Sequence, residues 1–146
     1  MFHLFNKNKS VNEIYFALSL HENGGKGFLF QCNAHLKSVL TLAQKSFQFS
    51  NAWEGILEDV DEVLYFLETN QKVKANNAIV FVYSHFVDLT TRTIKEPYVS
   101  KIKTLFSEID LPIAGFMEYH EANEKKCNGN FTRFLSRILE MDGRCG

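Results

Sequence analysis

The 146-residue chain has a net charge of −1, with 45% apolar and 23% charged residues. This balance is typical of a globular protein and excludes a disordered or fibrous chain. The length suits one domain, 1–146, with one hydrophobic core. A charge this close to zero also argues against general affinity for nucleic acid, which would need a strongly basic face.

The three cysteines indicate neither a disulfide framework nor a zinc site. Their number is odd and their spacings are wide, and no two of them form a CxxC pair: they are Cys32, Cys127 and Cys145. The first ten residues are too short and too polar for a secretory signal, and no run approaches the roughly 20 apolar residues of a membrane span. We therefore expect a cytoplasmic protein with no disulfide, no bound metal, no other cofactor and no membrane contact.

The first third of the chain predicts a β-hairpin followed by a helix. Apolar residues alternate with polar ones from Val11 to Leu20, and the apolar pattern resumes over 28–32 after the glycine-rich turn 21–27. Asn33 is a suitable N-cap for a helix. Apolar residues then recur at helical spacing, at Leu36, Val39, Leu40, Ala43 and Phe47.

A second helix, over 51–69, has the strongest pattern in the chain. Asn51 and Glu54 have the spacing of a capping box. The apolar residues that follow fall on one helical stripe, namely Trp53, Ile56, Leu57, Val60, Leu64 and Leu67. We expect this stripe to be buried. A strand over 63–67 is the alternative, because β-branched and aromatic residues are dense there.

The second half predicts alternating strands and helices. Residues 78–83 are apolar on both faces, as in an interior strand covered by helices on both sides. A helix begins at Pro97 and ends before Pro112, a strand follows over 113–119, and a last helix covers 131–141 after a polar loop. The order ββααβαβα predicts an α/β fold, with α+β as the alternative. We expect a mixed sheet of about four or five strands packed by about four helices.

Four residues are candidates for enzyme chemistry: Cys32, His35, His85 and His120. Cys32 and His35 are three apart where the predicted strand passes into a helix, a position that favours a thiolate. His85 and His120 follow predicted strands, and sites in open α/β sheets form at strand ends. A metal there would also need a ligand such as Glu118. The simpler interpretation is a half-buried cysteine with solvated histidines.

Three further motifs lack the spacing that their chemistry needs. The glycines of 23–27 join two strands and do not match GxxxxGK[ST]. Ser84, His85 and Asp88 are the residue types of a hydrolase triad, but adjacent residues of a strand point to opposite faces. The ExK letters at 124–126 lie in a polar loop rather than on a strand.

The charge distribution is the clearest functional signal. Residues 46–71 contain no lysine or arginine but six acidic residues, Glu54, Glu58, Asp59, Asp61, Glu62 and Glu68. On one helix such carboxylates repel one another by roughly 0.2–0.5 kcal/mol per pair. A face of one sign attracts a basic partner and speeds encounter. The alternative is an ordinary acidic helix whose charge is compensated by lysines that folding brings near.

These observations predict a non-catalytic protein-binding domain. It would be a cytosolic inhibitor or immunity protein that neutralises a basic toxin, such as a nuclease, through the six acidic residues, with Tyr65 as an aromatic anchor. The alternative is a small metal- or Cys/His-dependent enzyme of the hydrolase or nuclease class. That alternative requires the four candidate residues to converge in a cleft.

Overall fold

A mixed sheet with helices packed against it forms the fold. The computed structural model describes residues 12–33 and 38–118. Within these ranges the elements are β1 (Asn12–His21), β2 (Gly24–Asn33), β3 (Ser38–Gln48), β4 (Ser50–Trp53), α1 (Ile56–Gln71), β5 (Asn77–Val82), a 3-10 turn (Ser84–Phe86), β6 (Val87–Asp88), β7 (Thr93–Ile94), α2 (Glu96–Glu108) and β8 (Ile113–Glu118). The α/β class predicted from the sequence is confirmed.

The described part of the chain places five strands in one sheet, in the order β3-β2-β1-β5-β8. The strands β1, β2 and β3 are antiparallel neighbours, whereas β1, β5 and β8 run parallel. His21 pairs with Gly24, so Glu22 and Asn23 form the two-residue turn of the predicted hairpin. The short strands β6 and β7 pair with each other.

Both described helices pack on one face of this sheet. The buried side chains on this face come from the central strands and from both helices, and include Phe16, Leu18, Leu20, Val80, Val82, Val60, Val63, Leu67, Ile102, Leu105 and Phe106. A second buried cluster lies on the opposite face, made by Ala17, Phe28, Phe30, Ile79, Phe81 and Met117. The strand β5 is therefore interior, as its apolar sequence predicts, because it has a neighbour on each side and is buried on both faces. Helices were expected over both of its faces, whereas the two described helices cover one of them.

The prediction of a helix that begins at Asn33 is wrong, because residues 38–48 form the strand β3. Leu40 pairs with Gln31 and Ala43 pairs with Leu29, so four residues of β3, 40–43, lie opposite three residues of β2, 29–31. This bulge brings Leu42 into the strand as an extra residue. It also gives the apolar residues a three-residue spacing that resembles a helix.

The helix α1 is confirmed, but it begins at Ile56 instead of Asn51. The predicted capping box is wrong: the N-cap is Gly55, which makes no side-chain hydrogen bond, and residues 50–53 form β4. The alternative strand over 63–67 is wrong as well, because those residues lie within α1.

The apolar stripe of α1 is buried as predicted at Val60 and Leu64, whereas Leu57 is half-buried. Trp53 lies outside the helix and is also half-buried. Its indole packs in an aromatic group with ring centroids 4.9–6.1 Å away, formed by Phe49, Phe86 and Tyr98.

The later elements agree with the sequence up to the end of the described residues. The helix α2 carries Pro97 in its first turn, and β8 follows it. The residues predicted to form a polar loop (121–130) and a last helix (131–141), with Cys127 and Cys145, lie outside the described residues. Two α-helices are present within 12–33 and 38–118, fewer than the four expected, partly because the first predicted helix is a strand.

Candidate functional site

The solvent side of α1 carries most of the predicted acidic residues. Glu58, Asp61 and Glu62 are exposed there, and Glu54 is exposed just before the helix. At 100° per residue, these positions point away from Val60, Val63 and Leu67, which face the sheet. We call the exposed set Glu54, Glu58, Asp61, Glu62 and Tyr65 the acidic face.

Two aromatic side chains are exposed on the same helix. Tyr65 is 70% exposed, and Phe66 is 43% exposed. Sequence reasoning identified Tyr65 but missed Phe66, whose exposure depends on how α1 is rotated against the sheet. The available signal was the position of Phe66 on the helix: at 100° per residue it lies about 80° from Ile56 and 100° from Leu67, outside the predicted apolar stripe.

One lysine lies beside the acidic face. The Nζ of Lys45, on β3, lies 4.5 Å from the ring centroid of Phe66. Phe66 is one helical turn from Glu62, so Lys45 offsets part of the negative charge at that end. Among the described residues, no lysine or arginine lies within 4.0 Å of the carboxylates of Glu58, Asp61 or Glu62. Their negative charge is therefore unpaired within this part of the chain.

The other two predicted acidic residues, Asp59 and Glu68, accept hydrogen bonds from within the chain. Asp59 is buried and accepts two hydrogen bonds from Ser50, 3.0 Å from its backbone N–H and 2.6 Å from its hydroxyl. Glu68 accepts the backbone N–H of Ala75 at 2.7 Å. These bonds attach β4 to the start of α1, and the connection before β5 to its end.

Cys32 lies near the end of β2, half-buried beside Tyr15 on the sheet face opposite the helices. The expectation of a helix N-terminus next to it is wrong, because β2 runs to Asn33 and the next described element is β3. Burial, and then the charge of Glu13, raises the pKa of the Cys32 thiol from 9.0 to about 11. Cys32 is therefore protonated and weakly reactive at neutral pH. His35 and His120 lie outside the described residues.

We expect Cys32 to react slowly with iodoacetamide at pH 8. A pKa of about 11 lowers the thiolate fraction roughly 100-fold, and the greater nucleophilicity of a more basic thiolate offsets a factor of up to about ten of that loss. Alkylation in the native protein should therefore be at least about tenfold slower than in the same protein in urea. Mass spectrometry of the Cys32 peptide over time measures both rates. Equal rates would contradict a buried, protonated thiol.

His85 lies at a cleft of about 870 Å³ at the carboxyl ends of β1 and β5. Its Nδ1 atom is 3.7 Å from Oε1 of Glu22 in the β1–β2 turn. Asp88, which with Ser84 and His85 supplies the residue types of a triad, accepts the backbone N–H groups of Thr90 and Thr91 at 2.9 and 3.3 Å. Its carboxylate therefore stabilises the turn between β6 and β7.

The glycines of the β1–β2 turn have a structural explanation. A Cβ atom on Gly24 would lie 2.3 Å from the carbonyl oxygen of Phe47, and one on Gly25 would lie 2.3 Å from that of Ser19. Both contacts are too short for any side chain. The close approach of neighbouring backbones therefore accounts for these glycines, as expected of a plain hairpin.

Glu118, considered above as a metal ligand, is held in an ion pair. Its Oε1 atom is 3.1 Å from Nη2 of Arg92, and its side chain is buried. Across 12–33 and 38–118, no three His, Cys, Asp or Glu side chains are grouped so that they could hold a metal ion. In the same ranges, neither helix has the length and apolar character needed to cross a membrane.

No family model and no curated protein matches this chain. Among solved structures, the chain is similar to a Ppx/GppA family member from Aquifex aeolicus, at 11% identity and a TM-score of 0.46, with 77% of this chain covering 37% of that one. It is also similar to the ethanolamine utilization protein EutJ from Carboxydothermus hydrogenoformans, at 11% identity and a TM-score of 0.49, with 79% of this chain covering 40% of that one. The chain thus spans about two fifths of the length of these structures. Similarity this distant carries no argument about function.

Proposed function

We propose that this chain is a non-catalytic protein-binding domain that uses the acidic face of α1 to bind a basic protein. An inhibitor or immunity protein that neutralises a basic toxin, such as a nuclease, would act in this way. The observation that carries the proposal is the exposure of Glu58, Asp61 and Glu62 around Tyr65, which is itself 70% exposed. An acidic surface with an exposed aromatic ring suits binding to a partner of opposite charge.

The carboxylates and the aromatic rings would contribute to different steps. Negative charge acts over about a Debye length, roughly 10 Å at 0.1 M salt, so it mainly raises the rate of encounter. Tyr65 and Phe66 act only on contact, where burial of their rings slows dissociation. Their exposure leaves apolar surface in water that a partner can cover.

The enzyme alternative has no comparable support among the described residues. Cys32 has a raised thiol pKa, and the carboxylate of Asp88 is used within its own turn. His85 lies near Glu22 in the cleft, but within 12–33 and 38–118 no three His, Cys, Asp or Glu side chains are grouped there to bind a metal ion.

Charge reversal of the acidic face tests the proposal. The triple variant Glu58→Lys, Asp61→Lys and Glu62→Lys should fold normally, because all three side chains are exposed. Its association with the basic protein recovered from the source cells should be about 10- to 1,000-fold slower at low salt. The difference should shrink as salt rises toward 1 M, where the Debye length is about 3 Å. Stopped-flow kinetics across a salt series measure both effects.

The matched control reverses three lysines elsewhere. Lys95 and Lys103 are exposed and Lys101 is half-buried, and all three belong to α2 or its N-cap. Their joint replacement by glutamate should change the association rate much less. An acidic triple variant that associates as fast as the unmodified protein at low salt would show that the acidic face does not steer a partner.

A further inference from the structure

A second cleft adjoins the one at the carboxyl ends of β1 and β5. Both clefts are lined by Glu22, Asn23, Gln48 and His85, and the second has a volume of about 570 Å³. Aromatic residues supply most of its other walls, namely Phe49, Trp53, Phe86 and Tyr98. We call this second cleft the aromatic cleft. Ligand pockets usually measure about 300–1,000 Å³, so the aromatic cleft is large enough to hold a side chain of a partner.

The rings around the aromatic cleft pack against one another. Trp53 and Tyr98 are nearly perpendicular, with an interplanar angle of 87° and ring centroids 4.9 Å apart. The ring of Phe86 is buried and supports both, because its centroid lies 5.5 Å from that of Trp53 and 4.8 Å from that of Tyr98. Trp53 and Tyr98 are only half-buried, which leaves part of each ring open to the cleft. Aromatic rings attract a cation that lies over their faces.

The charge of the described lining residues also favours a cation. Glu22, in the β1–β2 turn, is exposed, and its Oε1 atom lies 3.7 Å from Nδ1 of His85, which is too long for a hydrogen bond. Among the described residues, no lysine or arginine lies within 4.0 Å of this carboxylate, and none lines the aromatic cleft. A cation that enters the cleft would therefore meet a carboxylate able to accept its hydrogen bonds.

A guanidinium group matches this combination of groups better than other organic cations do. Its flat face stacks on aromatic rings, and the N–H groups at its edge donate to a carboxylate in pairs. The carboxamide oxygens of Asn23 and Gln48, which also line the cleft, are acceptors for its remaining N–H groups. The ammonium group of lysine has no flat face to stack. A quaternary ammonium group has no N–H to donate to these acceptors.

We propose that the aromatic cleft binds an arginine side chain of the basic partner, whose guanidinium group stacks on the exposed rings and pairs with Glu22. This inference rests on the proposed function. Trp53 in the cleft wall is followed directly by Glu54 of the acidic face, so a protein docked on that face lies beside the cleft. The acidic face then speeds encounter, and the buried arginine slows dissociation.

The tripeptide acetyl-glycyl-arginyl-glycinamide is the probe, and Trp53 is the reporter because it is the single tryptophan of the chain. At constant ionic strength we expect a saturable change in tryptophan fluorescence, with a Kd on the order of 1 mM for so small a ligand. Two control peptides carry citrulline or lysine in place of arginine. Citrulline keeps the shape without the charge, and lysine keeps the charge without the flat group, so both should bind at least about fivefold more weakly.

Free N-acetyltryptophanamide, titrated with the same peptides, gives the collisional quenching, which rises without saturation. A change in Trp53 fluorescence that does not saturate would overturn the inference. Equal binding of the arginine and citrulline peptides would overturn it as well, because the site would then not recognise a cation. Equal binding of the arginine and lysine peptides would overturn the assignment of a guanidinium group.

Two pairs of variants locate the arginine peptide in the aromatic cleft. Glu22→Gln removes the charge of an exposed turn residue and should weaken binding about threefold to tenfold. Glu108→Gln, at an exposed position ten residues along α2 from Tyr98, should bind normally.

Tyr98→Leu removes a ring of the cleft wall and should weaken binding about threefold to tenfold, whereas Tyr98→Phe keeps the ring and should bind normally. If Tyr98→Leu fails to fold, the comparison of Glu22→Gln with Glu108→Gln still decides. Equal binding by those two glutamine variants would overturn the inference.

Kinetics with the basic protein separate this inference from the proposed function. Glu22→Gln should raise the dissociation rate of that complex about threefold to tenfold and change its association rate much less, whereas the acidic triple variant slows association. If Glu22→Gln leaves dissociation unchanged while the acidic triple variant slows association, the acidic face acts alone and only the inference fails. If the acidic triple variant also associates normally, the proposed function fails with it.

Discussion

Replacing Phe16 with alanine should lower the free energy of unfolding by about 3–5 kcal/mol, the usual cost of emptying a buried phenylalanine site. Phe16 is fully buried at the centre of β1, which has hydrogen-bonded neighbours on both sides. Its ring contacts Phe106 of α2 at a centroid distance of 6.3 Å. Neighbours held by strand pairing cannot move in to fill the cavity, so the loss should be near the upper part of this range. Urea unfolding measures it.

Leu40→Ala is the matched control for Phe16→Ala. Leu40 is also an apolar residue of the sheet, but it is 56% exposed at the edge strand β3. Its replacement should change the free energy of unfolding by no more than about 0.5 kcal/mol. A loss below about 1 kcal/mol for Phe16→Ala would contradict the position of β1 at the centre of the core.

Replacing Asp59 with alanine should lower the free energy of unfolding by about 2–4 kcal/mol, since hydrogen bonds to a charged group contribute about 1.5–3 kcal/mol each and are partly additive. Asp59 is buried and accepts both the N–H and the hydroxyl of Ser50. Without the carboxylate, β4 loses its attachment to the first turns of α1. Thermal and urea unfolding should both report the change.

Asp61→Ala separates this structural effect from the general loss of an acidic residue. Asp61 is two residues further along α1 and exposed, so its replacement should alter stability by no more than about 0.5 kcal/mol. In binding experiments the order should reverse. Asp61→Ala should slow association with the basic partner more than Asp59→Ala does, because Asp61 belongs to the acidic face. Equal stability of the Asp59 and Asp61 variants would contradict the inward role of Asp59.

The acidic residues between positions 46 and 71 do not all have the same role, as Asp59 and Asp61 show. The sequence shows six carboxylates without a lysine or arginine between residues 46 and 71. The structure divides them between contacts inside the chain, made by Asp59 and Glu68, and an exposed set around Tyr65. Only the exposed set can contact a partner directly, as the proposed function requires.

Much of the fold could be predicted from local patterns. Alternation over β1 and β2, the helical stripe of α1, and the apolar run of β5 each express one physical requirement, the burial of apolar surface at the period of the element. Proline then marks the start of α2 and the connection to β8. These signals act over a few residues, so they are present in the chain before it folds.

Tertiary structure alone decided the rest, because it depends on residues distant in sequence. Pairing with β2 makes residues 38–48 a strand and accommodates Leu42 in a bulge, although their apolar spacing suits a helix. Ser50, not a capping box, binds Asp59 near the start of α1. Strand order leaves β3 at the end of the described sheet, beside the acidic face. The sequence determined which residues are acidic or apolar; packing of α1 against the sheet determined which of them reach solvent.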